Sequence, residues 1–391
     1  MNFEEIKADE NEYLMHTYGR FNAALVSGKG AKAVDVNGKE YIDFTSGIGV
    51  NSLGYCDDGW VKAVTEQAGT IQHMSNLYYS PVQVKAAKKL CQISGTDKVL
   101  FCNSGAEANE CAIKLARKYS FDKYGKGRNK IITLINSFHG RTVTTLSATG
   151  QEVFHNYFFP FNEGFEYAEA NNIDDVKAHI SDDVCGIFIE LIQGEGGVMP
   201  LEPEFVKELT DICAENDILL LVDEVQTGVS RTGRFLCCEN YGIKPDIVTL
   251  AKGLGGGVPI GACLCNKKLS EVFTPGTHGT TFGGNPIACA AANEVLSRVA
   301  DEEFLSEVTK KGDYIREKLA AFPNVMETRG MGMMIGIVTE KDNAKEVAAK
   351  CVENGLLILT AKNLLRLLPP LTITYEEIDK GLEILKSVME E

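Results

Sequence analysis

Residues 219–252 read LLLVDEVQTGVSRTGRFLCCENYGIKPDIVTLAK, with glycines following at 253 and 255–257. Leu219 to Val222 and Ile247 to Leu250 are short apolar runs bounded by turn residues, the pattern of strands buried on both faces of a parallel sheet. The first run ends on an acid, Asp223, and the second on an amine, Lys252. In an open α/β sheet, ligands sit outside the carboxyl ends of the strands. The stretch therefore predicts an α/β fold that delivers one carboxylate and one ammonium to its ligand edge. The glycines after Lys252 allow backbone to approach a ligand with no Cβ in the way.

Upstream segments end on the same edge. In KVLFCNSGAEANECAIKLARKY (98–119), Val99 to Cys102 reads as a strand and Asn103-Ser104-Gly105 as a turn. Ala106 to Tyr119 follows as a helix, with Ala112, Ile113 and Ala116 at helical spacing. A small-residue turn feeding a helix N-terminus offers free N–H groups and a positive dipole end, so Ser104, Gly105 and Ala106 form a candidate phosphate cradle. Helix capping alone would also produce such a turn. Lys130 to Ile135 reads as a strand leading to Phe138, His139 and Arg141, and Val184 to Ile189 as one leading to Glu190 and Glu195. An aromatic ring there can stack on a flat heterocycle, and an arginine can hold a carboxylate through two parallel bonds.

An isolated aspartate or lysine at a strand end is ordinarily just solvated. Five strands converging on one rim with these side chains are not ordinary, and the set suits pyridoxal phosphate. That cofactor needs a lysine for a Schiff base with its aldehyde and an acid that keeps its pyridine nitrogen protonated, so that the ring accepts electrons. Lys252 and Asp223 are the candidates. No G-x-x-x-x-G-K-[ST] occurs, and the glycines after Lys252 do not open a first βα unit, which weakens a nicotinamide reading.

Composition narrows the remaining classes. The chain has 391 residues, 44% hydrophobic and 24% charged, ordinary values for a large globular protein. A net charge of −15 opposes nucleic acid or an anionic membrane as a partner, because the field repels phosphate. The N-terminus MNFEEIKADENEY is acidic and lacks an apolar stretch, and no run approaches 18 apolar residues, so the expectation is a cytoplasmic protein with no signal peptide and no membrane span. Twelve cysteines spread through a long chain, several in apolar runs, read as reduced thiols. With no C-x-x-C, no H-E-x-x-H and six scattered histidines, no metal site is expected.

The flanks complete the outline. Residues 1–47 read as an N-terminal arm, with Tyr18 upstream of a hairpin turning at Asn37-Gly38 and packing with the small domain. Residues 48–286 read as the large domain, in which PIGACLC (259–265) is a returning strand and THGTTFGGNP (277–286) a loop too polar for the core. Residues 287–391 read as long helices followed by a smaller α+β domain with a helix at 342–354. Arg366, alone among leucines in LLRLL, calls for an anionic partner.

The ordered segments CNSGAEANE, SFHGRT, QGEGGV, DEVQTGVSRTG, PDIVTLAKGLGGGVPIGA and HGTTFGGNP resemble the class III pyridoxal-phosphate aminotransferases, over nearly the whole span from Tyr18 to Arg366. The resemblance implies a fold-type I transferase, with a mostly parallel large-domain sheet and a smaller α+β domain. It implies that Lys252 carries the cofactor, Asp223 meets its ring nitrogen, Val225 and Phe138 sandwich the ring, and Gln226 meets its phenolic oxygen. Ser104, Gly105 and Ala106 would hold the phosphate, and Thr281 would reach the phosphate of the partner's cofactor in a homodimer with shared active sites. On the substrate side it implies Tyr18, Thr280, Arg141 for the α-carboxylate of N2-acetylornithine, and Arg366 for that of glutamate or 2-oxoglutarate, with Glu195 pairing Arg366 when that carboxylate is absent.

The implied reaction moves the δ-amino group of N2-acetylornithine to 2-oxoglutarate, a step of arginine biosynthesis. Relatives using succinylornithine, ornithine or 4-aminobutyrate are the alternative, and a cofactor-binding regulator without turnover is the rival from another class. The FHGRT form, where ornithine-specific relatives typically have FWGRT, leans through His139 toward an N-acylated substrate. LGYCDDGW, Leu191 in ELIQGE and EANN near Asn171 depart from the usual pattern at loops.

Overall fold

The computed structural model describes residues 1–391. Its centre is a seven-stranded sheet, in spatial order Lys98–Cys102, Gly261–Cys265, Ile247–Leu250, Leu219–Asp223, Val184–Ile189, Lys130–Leu134 and Phe165–Ala168. Only Gly261–Cys265 runs against the other six, so it is the returning strand. Asp223 and the run that leads to Lys252 lie on neighbouring parallel strands, with Asp223 opposite Thr249.

The apolar runs are unbroken because both faces of this sheet are covered. Successive side chains alternate between faces. Leu219 and Leu221 pack with Ile113, Leu115 and Ala116 of the helix Gly105–Tyr124. Leu220 and Val222 pack with Val206 and Leu209 of the helix Pro203–Glu215 and with Val295 of Pro286–Val299 on the other face. Each fully buried aliphatic side chain contributes about 1.5–3 kcal/mol. The helix Gly105–Tyr124 starts where Ser104 turns extended (φ −153°, ψ 166°) and its Oγ accepts from the Glu107 amide at 3.2 Å. It ends at Gly125, whose φ of +78° suits glycine.

A second sheet, Val325–Met331, Met334–Thr339, Leu364–Leu367 and Leu359–Ala361 in spatial order, is antiparallel throughout. A third joins Leu25–Lys29, Lys32–Asp35 and Glu40–Asp43 to Leu356–Leu357. Ala31, Ile42 and Phe44 accordingly share a core with Ile378, Leu382 and Leu385 of the helix Tyr375–Glu390. At the hairpin, Gly38 has φ +81° and the Asn37 amide donates to Asp35 Oδ1 at 2.8 Å.

The arm holds one element with no apolar periodicity to announce it. Phe3–Tyr13 is a helix with no buried residue, started by a capping box in which the Asn2 side chain accepts from the Glu5 amide and Glu5 accepts from the Asn2 amide.

Arg231 joins the two main bodies. It is 2% exposed, and its Nη1 donates to Met333 O at 3.2 Å and to Pro369 O, while Nη2 donates to Ser46 Oγ. The DEVQTGVSRTG loop, which starts at Asp223, is thereby tied to the sheet that carries Arg366.

Candidate active site

The carboxyl ends of five strands surround a cavity of about 450 Å³, lined by Ser104, Gly105, Ala106, Phe138, Arg141, Glu190, Asp223, Val225, Gln226 and Lys252 among others. The structure therefore brings together nine of the expected site residues with Glu190, which the strand Val184–Ile189 delivers to the same rim. Val50, Asn109, Gly257, Val258, Pro259 and Ile260 complete much of the remaining wall.

Asp223 is 5% exposed and its carboxylate is held from three sides. Oδ2 accepts from Asn109 Nδ2 at 2.7 Å and faces His139 Nδ1 at 2.9 Å, and Oδ1 accepts from the Val225 amide at 3.0 Å. A carboxylate can only accept here, so the His139 ring donates through Nδ1. Asn109 is fixed in turn by Thr249 Oγ1, which donates to its Oδ1 at 2.6 Å, and by its own bond to His139 O at 2.7 Å. His139 stacks on Phe188, with ring centroids 4.1 Å apart and planes 13° apart. Its side chain is wholly buried beside Asp223, so the imidazole orients that carboxylate.

Lys252 enters from the next strand end with φ +44°, a left-handed conformation that a lysine holds only when its surroundings impose it. Its Nζ forms no ion pair. Burial pulls the amine below its ordinary range; the Arg366 charge adds to this, while Glu195, Asp223 and Glu190 oppose it. Glu190 Oε2 accepts from the Phe138 amide at 2.8 Å and Oε1 from the Gly194 amide at 3.3 Å. Burial, reinforced by the neighbouring Asp223 charge, pushes this carboxyl well above its usual range, against the two amides and the Lys252 charge.

At the N-terminus of the helix Gly105–Tyr124, Ser104 occupies the Glu107 amide and the Ala108 amide donates to Ser104 O, leaving the Gly105 and Ala106 amides without intrahelical acceptors. A Cβ on Gly105 would stand 2.8 Å from Val225 Cγ1, so glycine is what lets Val225 close over this end.

Arg366 lies on Leu364–Leu367 at the cavity's small-domain side and is 3% exposed. Nη1 donates to Glu195 Oε1 at 2.6 Å and to Gln226 Oε1 at 3.2 Å, whereas its buried Nε has no partner. Burial pushes the Glu195 carboxyl up, but the Arg366 guanidinium outweighs that and leaves it below its ordinary range. The arginine expected to need an anion thus has one, with a donor to spare. Arg141 is the reverse case: exposed, with its guanidinium 4.0 Å from the Phe154 ring and in no hydrogen bond or ion pair.

Besides Glu195 and Arg366, which meet the cavity through Gln226, three expected residues lie outside its wall. Tyr18 is 75% exposed on the arm beside Arg20, and Thr281 is exposed. Thr280 Oγ1 accepts from Asn103 Nδ2 at 3.1 Å on the far side of the turn. The sequence departures are structural. Asp57 caps the helix Asp58–Thr70, Trp60 Nε1 donates to Gly255 O at 3.0 Å in the glycine loop, and Leu191 is fully buried. Asn109 went unread, although a polar residue beside the Ala112 and Ala116 stripe was its available signal.

The donor set fits pyridoxal phosphate: an unpaired, half-buried amine, a carboxylate aimed by three donors, a helix N-terminus with free amides, and Phe138 and Val225 as apolar surfaces in the same wall.

A family model described as Aminotransferase class-III matches residues 13–389. The chain is 49% identical to an acetylornithine aminotransferase from Haemophilus ducreyi over 393 residues, covering 100% of each chain. It is 50% identical to one from Caldanaerobacter subterraneus subsp. tengcongensis, covering 98% of each. Among solved structures, the ornithine aminotransferase of Toxoplasma gondii superposes with a TM-score of 0.95 at 34% identity, covering 100% of this chain and 96% of that one. The N-acetylornithine aminotransferase of Stenotrophomonas maltophilia gives 0.85 at 35% identity, covering 98% of each.

Proposed function

The chain belongs to the class-III aminotransferases, and on that premise we propose that it transfers the δ-amino group of N2-acetylornithine to 2-oxoglutarate, giving N-acetylglutamate 5-semialdehyde and glutamate in arginine biosynthesis. The observation that carries this reading is the pair of arginines. Arg366 is buried and neutralised by Glu195, whereas Arg141 is exposed and unpaired. A site with one charged receptor open and the other covered suits a donor that has a carboxylate only at its far end. Displacing Glu195 then admits a dicarboxylate acceptor.

The cofactor is pyridoxal 5'-phosphate, which supplies an aldehyde to take up an amino group and a pyridine ring to accept an electron pair. In this reading Lys252 is its attachment point. Ser104, Gly105 and Ala106 hold its phosphate, Phe138 and Val225 flank its ring, Gln226 donates to its phenolic oxygen, and Asp223 keeps the proton on its ring nitrogen. Lys252 Nζ, whose proton is loosened by burial, removes a proton from the substrate δ-carbon and delivers it again on the other side of the transfer. Glu190, whose Oε2 accepts from the Phe138 amide, fixes the backbone that carries the Phe138 ring. Arg141 takes the α-carboxylate of N2-acetylornithine, and Arg366 that of 2-oxoglutarate.

We also read the enzyme as a cytoplasmic homodimer with shared sites. No helix is long and apolar enough to cross a membrane. Leu77, Tyr78, Tyr79 and Phe282 are 87%, 68%, 98% and 60% exposed beside the Thr280-Thr281 loop, a surface suited to a second copy. In that assembly Thr281 reaches the partner's cofactor phosphate, and Tyr18 and Thr280 complete the substrate side. Functionally we divide the chain into 1–47, 48–286 and 287–391, the helix Pro286–Val299 at the start of the last packing on the large-domain sheet.

Steady-state rates with N2-acetylornithine, N2-succinylornithine, ornithine and 4-aminobutyrate test the assignment. Highest kcat/KM for the acetylated donor, with 2-oxoglutarate as acceptor, is the expected result. Preference for free ornithine or 4-aminobutyrate would transfer the chain to a neighbouring specificity.

A further inference from the structure

Arg141 is the one arginine at the cavity mouth, and nothing polar holds it. A long, exposed side chain loses rotamer freedom when it is fixed, so a receptor left to wander binds its carboxylate weakly. The structure shows what restrains it instead. The Arg141 guanidinium lies 4.0 Å from the centroid of Phe154 and 5.5 Å from that of Phe138. The two rings meet edge to face, 6.0 Å apart at 72°.

Phe154 is itself anchored. It closes the turn Glu152–Phe154, in which its amide donates to Gln151 O at 3.0 Å and the His155 amide to Glu152 O at 2.9 Å. Gln151 is buried and its Nε2 donates to Ser137 O at 2.9 Å, immediately before Phe138. His155 pins the other side: Nε2 lies 2.9 Å from Leu146 O, and its ring sits 5.2 Å from Phe161 and 5.6 Å from Tyr167. The ring beneath the guanidinium and the ring at the cofactor position are thus held in one frame.

We propose that Phe154 is a positioning residue for carboxylate recognition: its face holds the Arg141 guanidinium over the cavity mouth at a fixed distance from Phe138, and so sets the affinity for amine donors that carry a carboxylate. A cation over an aromatic face is attracted by the ring quadrupole while its N–H edge stays free to bind oxygen. The proposal rests on the reading of Arg141 as the carboxylate receptor.

The test compares the holoenzyme with Phe154→Leu, which keeps the bulk and removes the π face, and Phe154→Tyr, which keeps both. The donors are N2-acetylornithine and N-acetylputrescine, the same molecule without its carboxylate. Phe154→Leu is expected to raise KM for N2-acetylornithine about two- to fivefold, as an exposed cation–π contact supports, with kcat preserved. Phe154→Tyr should match wild type, and neither change should alter KM for N-acetylputrescine. An unchanged KM for N2-acetylornithine in Phe154→Leu, or equal losses with both donors, would overturn the proposal. If the wild-type enzyme itself shows equal KM for the two donors, it is the reading of Arg141 that has failed, and this is visible before any variant is compared.

Discussion

Replacing Arg366 with alanine separates the two halves of the proposed reaction. Arg366 is 3% exposed and donates to Glu195 Oε1 at 2.6 Å, with a buried Nε that has no partner in the protein. Truncating one member of a buried, hydrogen-bonded charge pair removes about 2–5 kcal/mol of binding to a charged partner. Glu195 retains 32% side-chain exposure, so solvent screens part of this and the lower end applies. About 2–3 kcal/mol corresponds to a roughly 30- to 150-fold fall in kcat/KM for 2-oxoglutarate. The half-reaction with N2-acetylornithine needs no carboxylate at Arg366. Without the guanidinium the largest influence holding the Glu195 carboxyl down is gone, leaving only Lys252 and Gln226 against burial. That half should change by less than about threefold. Single-turnover absorbance traces of the bound cofactor measure the halves separately. Equal losses in both would refute the division of labour between the arginines.

Other consequences are open to direct measurement. Gly105→Ala places a Cβ 2.8 Å from Val225 Cγ1; overpacking at a stiff side chain should raise the apparent Kd for pyridoxal phosphate about tenfold, read by titration of the apoprotein. His139→Leu deletes one of three hydrogen bonds to the Asp223 carboxylate and should lower kcat about tenfold or more with KM nearly constant. Glu224 is buried, accepts from the Cys237 and Cys238 amides, and burial raises its carboxyl from 4.5 to about 7. The folded state therefore binds more protons than the unfolded one across that window, and the contribution of Glu224 to stability, full below pH 4.5, is lost as pH rises to about 7. Urea midpoints should show Glu224→Gln gaining on wild type over that interval, and a constant difference would refute the assignment.

The sheet and its ligand edge were legible because buried parallel strands have a continuous apolar signature and their carboxyl ends collect the chemistry. Leu219–Asp223 and Ile247–Leu250 lie as neighbours in the structure. The anion partner expected for Arg366 is present as Glu195, since a guanidinium among leucines has few ways to be buried. The helix Phe3–Tyr13 was not legible, because it buries nothing and depends on a local cap. The contacts of His139 and Asn109 with Asp223 were not legible for a different reason. Their roles are set by Asp223, 84 and 114 residues away, a separation that no local pattern encodes. Phe154 likewise acquires meaning only through Arg141 above it.

The central claim is that Lys252 and Asp223 grip one cofactor from adjacent strand ends. Borohydride reduction of the protein loaded with pyridoxal phosphate, followed by peptide mass mapping, tests it most directly. The account predicts a single phosphopyridoxyl label on Lys252, and no labelled residue at all in Lys252→Ala. A label on any other lysine, or one that survives that substitution, contradicts it.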